Sequence, residues 1–323
     1  MTNATRPLAL KLRDHIEAAF LAGVVLLAPA SALAQALAET PYASGTDKPF
    51  TLSFDRSGRL YVGQFGEDVV WRVPVGGGSA AVFVTGTPGF GLGGIIGPDD
   101  ALYVPNVDGE IYRYAPGATT PDSQPYATGF GSLLNGLVFD DAGRLYGIAT
   151  GTPRQISRVA PGGGRASAVC VLPNESYAMT ISAAGKPLAI SEQYGVIYQC
   201  DGNKVSVFAD IIDGVNLSLT KDSEGRIYYG LFDGPNIGEI YRIDSRGGAS
   251  TFVAKSQTGV VGLIFKNADL YVGKYYLGTV SRIANVAPSP TPVPTMTEWA
   301  MMLFAVMLAG GAALHLQRGR QFA

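Results

Sequence analysis

Histidine is missing from the body of this chain: the only two, His15 and His315, lie near its ends. The side chain best poised to move protons near neutral pH is therefore unavailable to a central site. Cysteine is nearly missing too, and Cys170 and Cys200 alone make no Cys/His set for zinc. Charged residues are only 15% of the 323, against 47% hydrophobic, which excludes wholesale disorder. There is no basic excess. The net charge is −2, and residues 35–287 carry 19 basic against 23 acidic side chains, so no field is available for a phosphate backbone and nucleic acid is excluded as a partner. Neither a Gly-x-Ser-x-Gly elbow nor a P-loop occurs. What is abundant is glycine, 42 residues or nearly twice the usual share of about 7%. With 16 Tyr and 14 Phe, this composition points to many short strands joined by tight turns.

Both ends read as addresses. Arg6, Lys11 and Arg13 precede an apolar run of eleven, residues 18–28, and then Ala32-Leu33-Ala34. That is the layout of a secretory signal peptide over 1–34, cleaved after Ala34. Eleven residues are too few to span a bilayer, which needs about 20. At the other end, residues 286–292 form a proline-rich spacer. The segment 293–323 follows, with an apolar stretch at 300–316 and then Arg318 and Arg320. Trp299 sits where an interfacial aromatic belongs, and the arginines fit a positive-inside orientation for a transmembrane helix over 300–316.

Residues 35–285 are a repeat. Strands of Leu-Tyr-Val type begin at Leu60, Leu102, Leu145, Leu188, Ile227 and Leu270, a period near 42. Asp55, Asp140 and Asp222 each start an Asp-x-x-Gly turn, suited to a type I turn ending in a left-handed glycine. Runs of glycine at 76–78, 162–164 and 247–248 close later hairpins. Four short strands per repeat, six times, predict an all-β, six-bladed β-propeller with four-stranded blades. The sixth repeat lacks its fourth strand. Residues 40–45 (TPYASG) echo 124–129 (QPYATG) of the second repeat, so 39–45 is expected to supply the missing strand and close the ring, leaving no open edge. The repeated tyrosines are expected to pack blade against blade. Gly91-Leu92-Gly93-Gly94 reads as close packing near the axis rather than a phosphate loop.

Residues 293–320 closely resemble the IPTL-type sorting signal of Gram-negative bacteria, whose pattern is Ile-Pro-Thr-Leu-Ser-x-Trp-Gly, a helix and basic residues. Pro294, Thr295, Glu298 and Trp299 match; Val293, Met296, Thr297 and Ala300 depart conservatively. The resemblance implies recognition by an exosortase-type membrane enzyme. Residues 39–286 resemble six-bladed propellers of the NHL and gluconolactonase/strictosidine-synthase-like superfamily. Asn135-Gly136-Leu137 matches the Asn-Gly-Leu of a metal-ligand strand in gluconolactonase-like enzymes, and Asp213-Gly214 resembles their Asp-Gly, where the Asp is both ligand and base. Glu175 lies just ahead of the fourth inner strand. Such oxygens at a channel mouth suit Ca²⁺. The resemblance thus implies a Ca²⁺ set of Asn135, Glu175, Asp213 and Asn216, with Asp213 as base. The first inner strand begins Lys48-Pro49-Phe50 and lacks the Glu ligand of that family. Asn216 is an alternative to Asp213 for the place equivalent to Asn135, and Asn135 and Asp213 also fit turn or capping roles.

The expectation is an exported, monomeric propeller at the cell surface or outer envelope of a Gram-negative bacterium, tethered or released, that binds an extracellular ligand or protein without a cofactor. Its membrane contact is the C-terminal helix before processing. The alternatives are a Ca²⁺-dependent lactonase- or esterase-like hydrolase and a structural envelope protein. An oxidising compartment permits a Cys170–Cys200 bridge, but outer-strand and third-strand positions in different blades favour buried free thiols.

Overall fold

The computed structural model describes residues 37–86, 93–235 and 237–287. The chain divides into Met1–Ala36 and Leu37–Ala323, and the second unit carries the fold. The expected signal peptide with Ala34, the sorting motif Val293, Pro294, Thr295 and Trp299, and the helix at 300–316 lie outside the described residues. Among the described residues, no helix is long and apolar enough to cross a membrane.

Six sheets form the propeller, and the four strands of each blade run antiparallel. Blade one is Pro49–Phe54, Leu60–Gln64, Val69–Val73 and Ala81–Thr85, and the order from inner to outer strand repeats around the ring. Each inner strand runs from the channel mouth to its hairpin turn, and the second strand returns. Second strands such as Leu60–Gln64, Leu145–Ala149 and Pro187–Ser191 are buried at every residue. They lie between neighbouring blades on both faces, which is why they read as unbroken apolar runs rather than alternating ones. In blade four the strand begins at Pro187, one residue before Leu188, because Ser182 N–H bonds Lys186 C=O as Asp55 N–H bonds Arg59 C=O.

The ring closes as the sequence predicts. Glu39–Ser44 pairs antiparallel with Thr279–Ile283 as the outer strand of blade six. The repeated tyrosines pack across blades: Tyr271 of blade six meets Phe54 of blade one edge-on at 4.8 Å, and Tyr103 of blade two meets Phe139 of blade three at 5.0 Å. Gly93 packs on Gly63 and Thr51, where a Cβ has no room.

The three Asp-x-x-Gly turns share one network. Asp55, Asp140 and Asp222 each accept the backbone N–H of the Arg four residues on and its Nε, the latter at 2.6 Å in all three. Burial acts to raise the Asp55 and Asp140 carboxyls, but these Arg hydrogen bonds outweigh it and hold both below the usual carboxylate range. The glycines that end the turns, Gly58, Gly143 and Gly225, all have positive φ.

The turns mark blades one, three and five only, and a second device follows the same alternation. The glycine-run turn of each odd blade docks on the outer strand of the preceding even blade. Ala43 pairs parallel with Gly78, and Ala127 with Gly164. Gly247 N–H bonds Phe208 C=O at 2.8 Å. The unit of the fold is therefore a pair of blades, and the echo between 40–45 and 124–129 marks two strands that receive such a turn.

A Cβ on Gly77 or Gly163 would collide with the carbonyl oxygen of Tyr42 or Tyr126, and both glycines have positive φ. Gly163→Ala is expected to cost about 2 kcal/mol from strain plus collision. Gly162→Ala also has positive φ but meets nothing within 4 Å, so only the left-handed penalty of about 1 kcal/mol remains. Urea denaturation of the two variants checks this; equal losses would show that the latch contributes nothing.

The expectation of free thiols is corrected. Cys170 and Cys200 form a disulfide with Cα atoms 6.1 Å apart. Strand order alone separates them, but the side chains of the outer strand of blade three and the third strand of blade four face each other across the blade interface, within one apolar cluster with Tyr146 and Met179. That brings the Cα atoms within bridging reach.

Candidate binding face at the channel mouth

The inner strands leave an axial cavity of about 100 Å³. Its wall is mainly apolar, with Phe50, Leu52, Tyr177, Met179, Leu219 and Leu263 lining it and Ser218 among its few polar side chains. The mouth is decorated by residues at the end of each second strand. In blades six and one the residue directly after the strand is aromatic, Tyr275 and Phe65, and in blade five the aromatic is Phe232, the penultimate residue of Ile227–Asp233. In blades two, three and four the residue directly after the strand is polar: Asn106, Thr150 and Glu192.

The aromatic half is one connected group. Phe50 and Phe65 lie 5.1 Å apart, Phe65 and Tyr275 5.9 Å, and Tyr275 and Phe232 5.9 Å. Tyr276 stacks on Phe232 at 5.6 Å and 20°. Phe65 is 36% exposed, and Tyr276 and Leu277 are each 51% exposed. Apolar surface kept in water in this way, beside a concave opening, is the usual form of a binding face. Tyr177 joins the halves: it packs in the cluster of Phe50 and Val261 that also receives Phe232 and Tyr275, and its hydroxyl is pushed up by burial and then by Glu192 and Glu175.

The residues singled out from the sequence are placed as follows. Asn135 is buried, and its Nδ2 donates to Thr150 Oγ1 at 2.7 Å. Glu175 pairs with Arg154 at 3.2 Å. Asp213 is exposed on the crossover into blade five, beside Gly195. Asn216 is fully buried; its Nδ2 donates to Gly214 C=O at 2.9 Å, and its Oδ1 has no partner. Backbone bonds draw two of the four together: Glu192 N–H bonds Glu175 C=O, and Asn216 N–H bonds Glu192 C=O. Register gives the place equivalent to Asn135 to Leu217, because Leu134 and Asn216 are the matching entry residues, paired with Ala149 and Leu231. Neither Asp213 nor Asn216 fills it.

For a hard cation this donor set fits poorly. The unpartnered Asn216 Oδ1 and Ser218 Oγ are features a cation would explain, while the one carboxylate among the inner-strand entries, Glu175, is already neutralised by Arg154. Among the described residues, no three His, Cys, Asp or Glu side chains group as metal ligands. Sequence reasoning passed over Phe65, Phe232, Tyr275, Tyr276 and Glu192. A signal existed in the position of Phe65, Tyr275 and Glu192, directly after each second strand, while Phe232 lies just inside the end of its own strand and Tyr276 follows Tyr275. Burial and then the neighbouring Glu175 push the Glu192 carboxyl up.

No family model and no curated protein sequence matches the chain. Solved structures do. A gluconolactonase from Xanthomonas campestris superposes with TM-score 0.62 at 14% identity, over 78% of this chain and 92% of that one. Virginiamycin B lyase from Staphylococcus aureus, with quinupristin, gives 0.54 at 15%, over 76% and 84%. The PQQ-bound aldose sugar dehydrogenase from Streptomyces coelicolor gives 0.56 at 13%, over 76% and 98%. At such identities the likeness establishes the propeller fold, with gluconolactonases among its structural neighbours, and leaves the chemistry to the site.

Proposed function

We propose that this protein is an exported, monomeric propeller, tethered at the surface of a Gram-negative cell through its C-terminal sorting signal after an exosortase-type enzyme has read it, and that it binds an extracellular ligand or protein at the channel mouth. The aromatic arc of Phe65, Tyr275, Tyr276 and Phe232 over an apolar channel carries this reading. The chain ends support the orientation. Glu39 pairs with Ile283, and Ala287 N–H bonds Ala268 C=O at 3.1 Å. Both ends therefore leave from the hairpin side, opposite the mouth, and a tether there displays the aromatic face outward.

The second reading is a Ca²⁺-dependent lactonase- or esterase-like hydrolase with Asp213 as base and Asn135, Glu175 and Asn216 as further ligands. The unpartnered Asn216 Oδ1 and the gluconolactonase among the structural neighbours favour it; the exposed Asp213 and the paired Glu175 oppose it. One experiment separates the two. Thermal stability is followed against saccharides, lactones, aryl esters and amphiphiles, with and without Ca²⁺, for wild type and Phe65→Ser/Tyr276→Ser. Binding raises the melting temperature. The expected result is a shift for at least one class, lost in the double variant while the fold is retained, and no turnover. Lactone or ester turnover that Asp213→Asn abolishes would establish the hydrolase instead.

A further inference from the structure

Off the axis, where blades three and four meet on the mouth side, lies a cavity of about 240 Å³ lined by Arg154, Asn174, Glu175, Glu192, Gln193 and Tyr194. The three loops that supply these residues are fixed in place. Leu172 N–H bonds Arg154 C=O at 2.8 Å, Glu192 N–H bonds Glu175 C=O at 3.0 Å, and Asn174 Nδ2 donates to Tyr198 Oη at 2.7 Å. The Cys170–Cys200 bridge ties the approach to the second loop to blade four. Such a cavity is preorganised, so binding costs little loop ordering.

Its chemistry selects a ligand. Arg154 and Glu175 form an ion pair at 3.2 Å, which leaves no cationic field for an anion and one carboxylate without an ion pair, that of Glu192, which the Gln193 side chain hydrogen-bonds. The pocket offers donors on Arg154 and Gln193 beside acceptors on Glu175, Glu192 and Asn174, and a hydroxyl group is both donor and acceptor. Tyr194 is 62% exposed, presenting an aromatic ring against which an apolar C–H face can lie. A pyranose ring combines vicinal hydroxyls with such a face, and the volume admits about one ring.

We propose that this pocket binds one pyranose unit of a neutral saccharide, with hydroxyls on Glu192, Gln193 and Arg154 and the ring face on Tyr194. The inference rests on the reading of the mouth side as a binding face, and Tyr177 provides the path along which a longer chain would reach Phe232 and Tyr275. The test is isothermal titration of the propeller with neutral mono- and oligosaccharides of glucose, galactose and mannose. Tyr194→Ala and Gln193→Ala alter exposed side chains, and their fold is checked by thermal melting. Binding is expected to weaken about tenfold in Tyr194→Ala for every saccharide that binds, while Phe65→Ser/Tyr276→Ser weakens only the longer chains. No binding by wild type, or binding unchanged in both Tyr194→Ala and Gln193→Ala, overturns the proposal. Saccharide binding that needs Tyr194 but ignores Phe65 and Tyr276 at every chain length keeps the pocket and sinks the aromatic arc. An amphiphile held by Phe65 and Tyr276, with no saccharide bound, does the reverse.

Discussion

Lys274→Ala is expected to lower the stability of the propeller by about 3–5 kcal/mol, the loss seen when one partner of a buried ion pair is removed. Lys274 Nζ lies 2.6 Å from Glu39 Oε2, with side chains only 6% and 10% exposed. Glu39 belongs to the strand that closes the ring, and its other oxygen accepts from Ser256 Oγ on the outer strand of blade five at 3.1 Å. The pair therefore joins the closing strand to blades five and six at once. Without the ammonium, the buried carboxylate keeps only Ser256 as a partner, and it relieves that cost by taking up a proton or by detachment of the strand, which opens an unpaired edge. Neutralising both partners, as in Lys274→Met/Glu39→Gln, removes the uncompensated charge and should restore most of the loss. Urea denaturation at pH 7 reads both variants. A loss under 1 kcal/mol in Lys274→Ala, or a double variant no better than the single, would show that the pair does not hold the ring closed.

Reducing the disulfide, or replacing Cys170 and Cys200 by Ala, is expected to cost about 3–4 kcal/mol. The bridge spans 30 residues, and the entropy that such a loop removes from the unfolded chain sets this magnitude. The link runs between blades three and four rather than within one, so its loss should also loosen the loops that carry Asn174 and Glu175. Both cysteines are almost fully buried, at 4% and 1% exposure, so reductant acts only on opened molecules. Thiol titration of the denatured, unreduced protein should find no reactive thiol, and the urea midpoint should fall when reductant is added. Two reactive thiols, or an unchanged midpoint, would remove the bridge from the account of stability.

The architecture was legible because its signals are local and repeated. A period near 42, the Asp-x-x-Gly turns and the unbroken apolar second strands each reflect forces acting within a few residues. Six repetitions of the strands and three of the turn make them unmistakable. Closure by residues 39–44 was legible because an outer strand was missing at one end of the repeat and present at the other.

The site was not legible in the same way, for three physical reasons. First, the mouth is assembled from one residue per blade, so Phe65, Tyr275 and Phe232 are neighbours only after the ring has closed. Second, the inner strands of blades one, three, four, five and six each carry a register irregularity at their entry. An extra residue there reverses which side chain faces the channel, so alternation along the strand misleads, although the spacing to the turn, eight residues from Asn135 to Gly143 and from Leu217 to Gly225, does pair Leu217 with Asn135. Third, which polar groups remain free depends on partners chosen by packing: Thr150 engages Asn135, and Arg154 engages Glu175. The disulfide followed the same rule, since strand order placed the cysteines in separate blades and only the facing of two curved sheets brought them together. The sequence alone determined the blades, their number, their turns and their closure, all of which follow from local propensity and period. Tertiary structure decided the pairing of blades, the bridge and the character of the mouth, because these depend on contacts between residues that the chain keeps far apart.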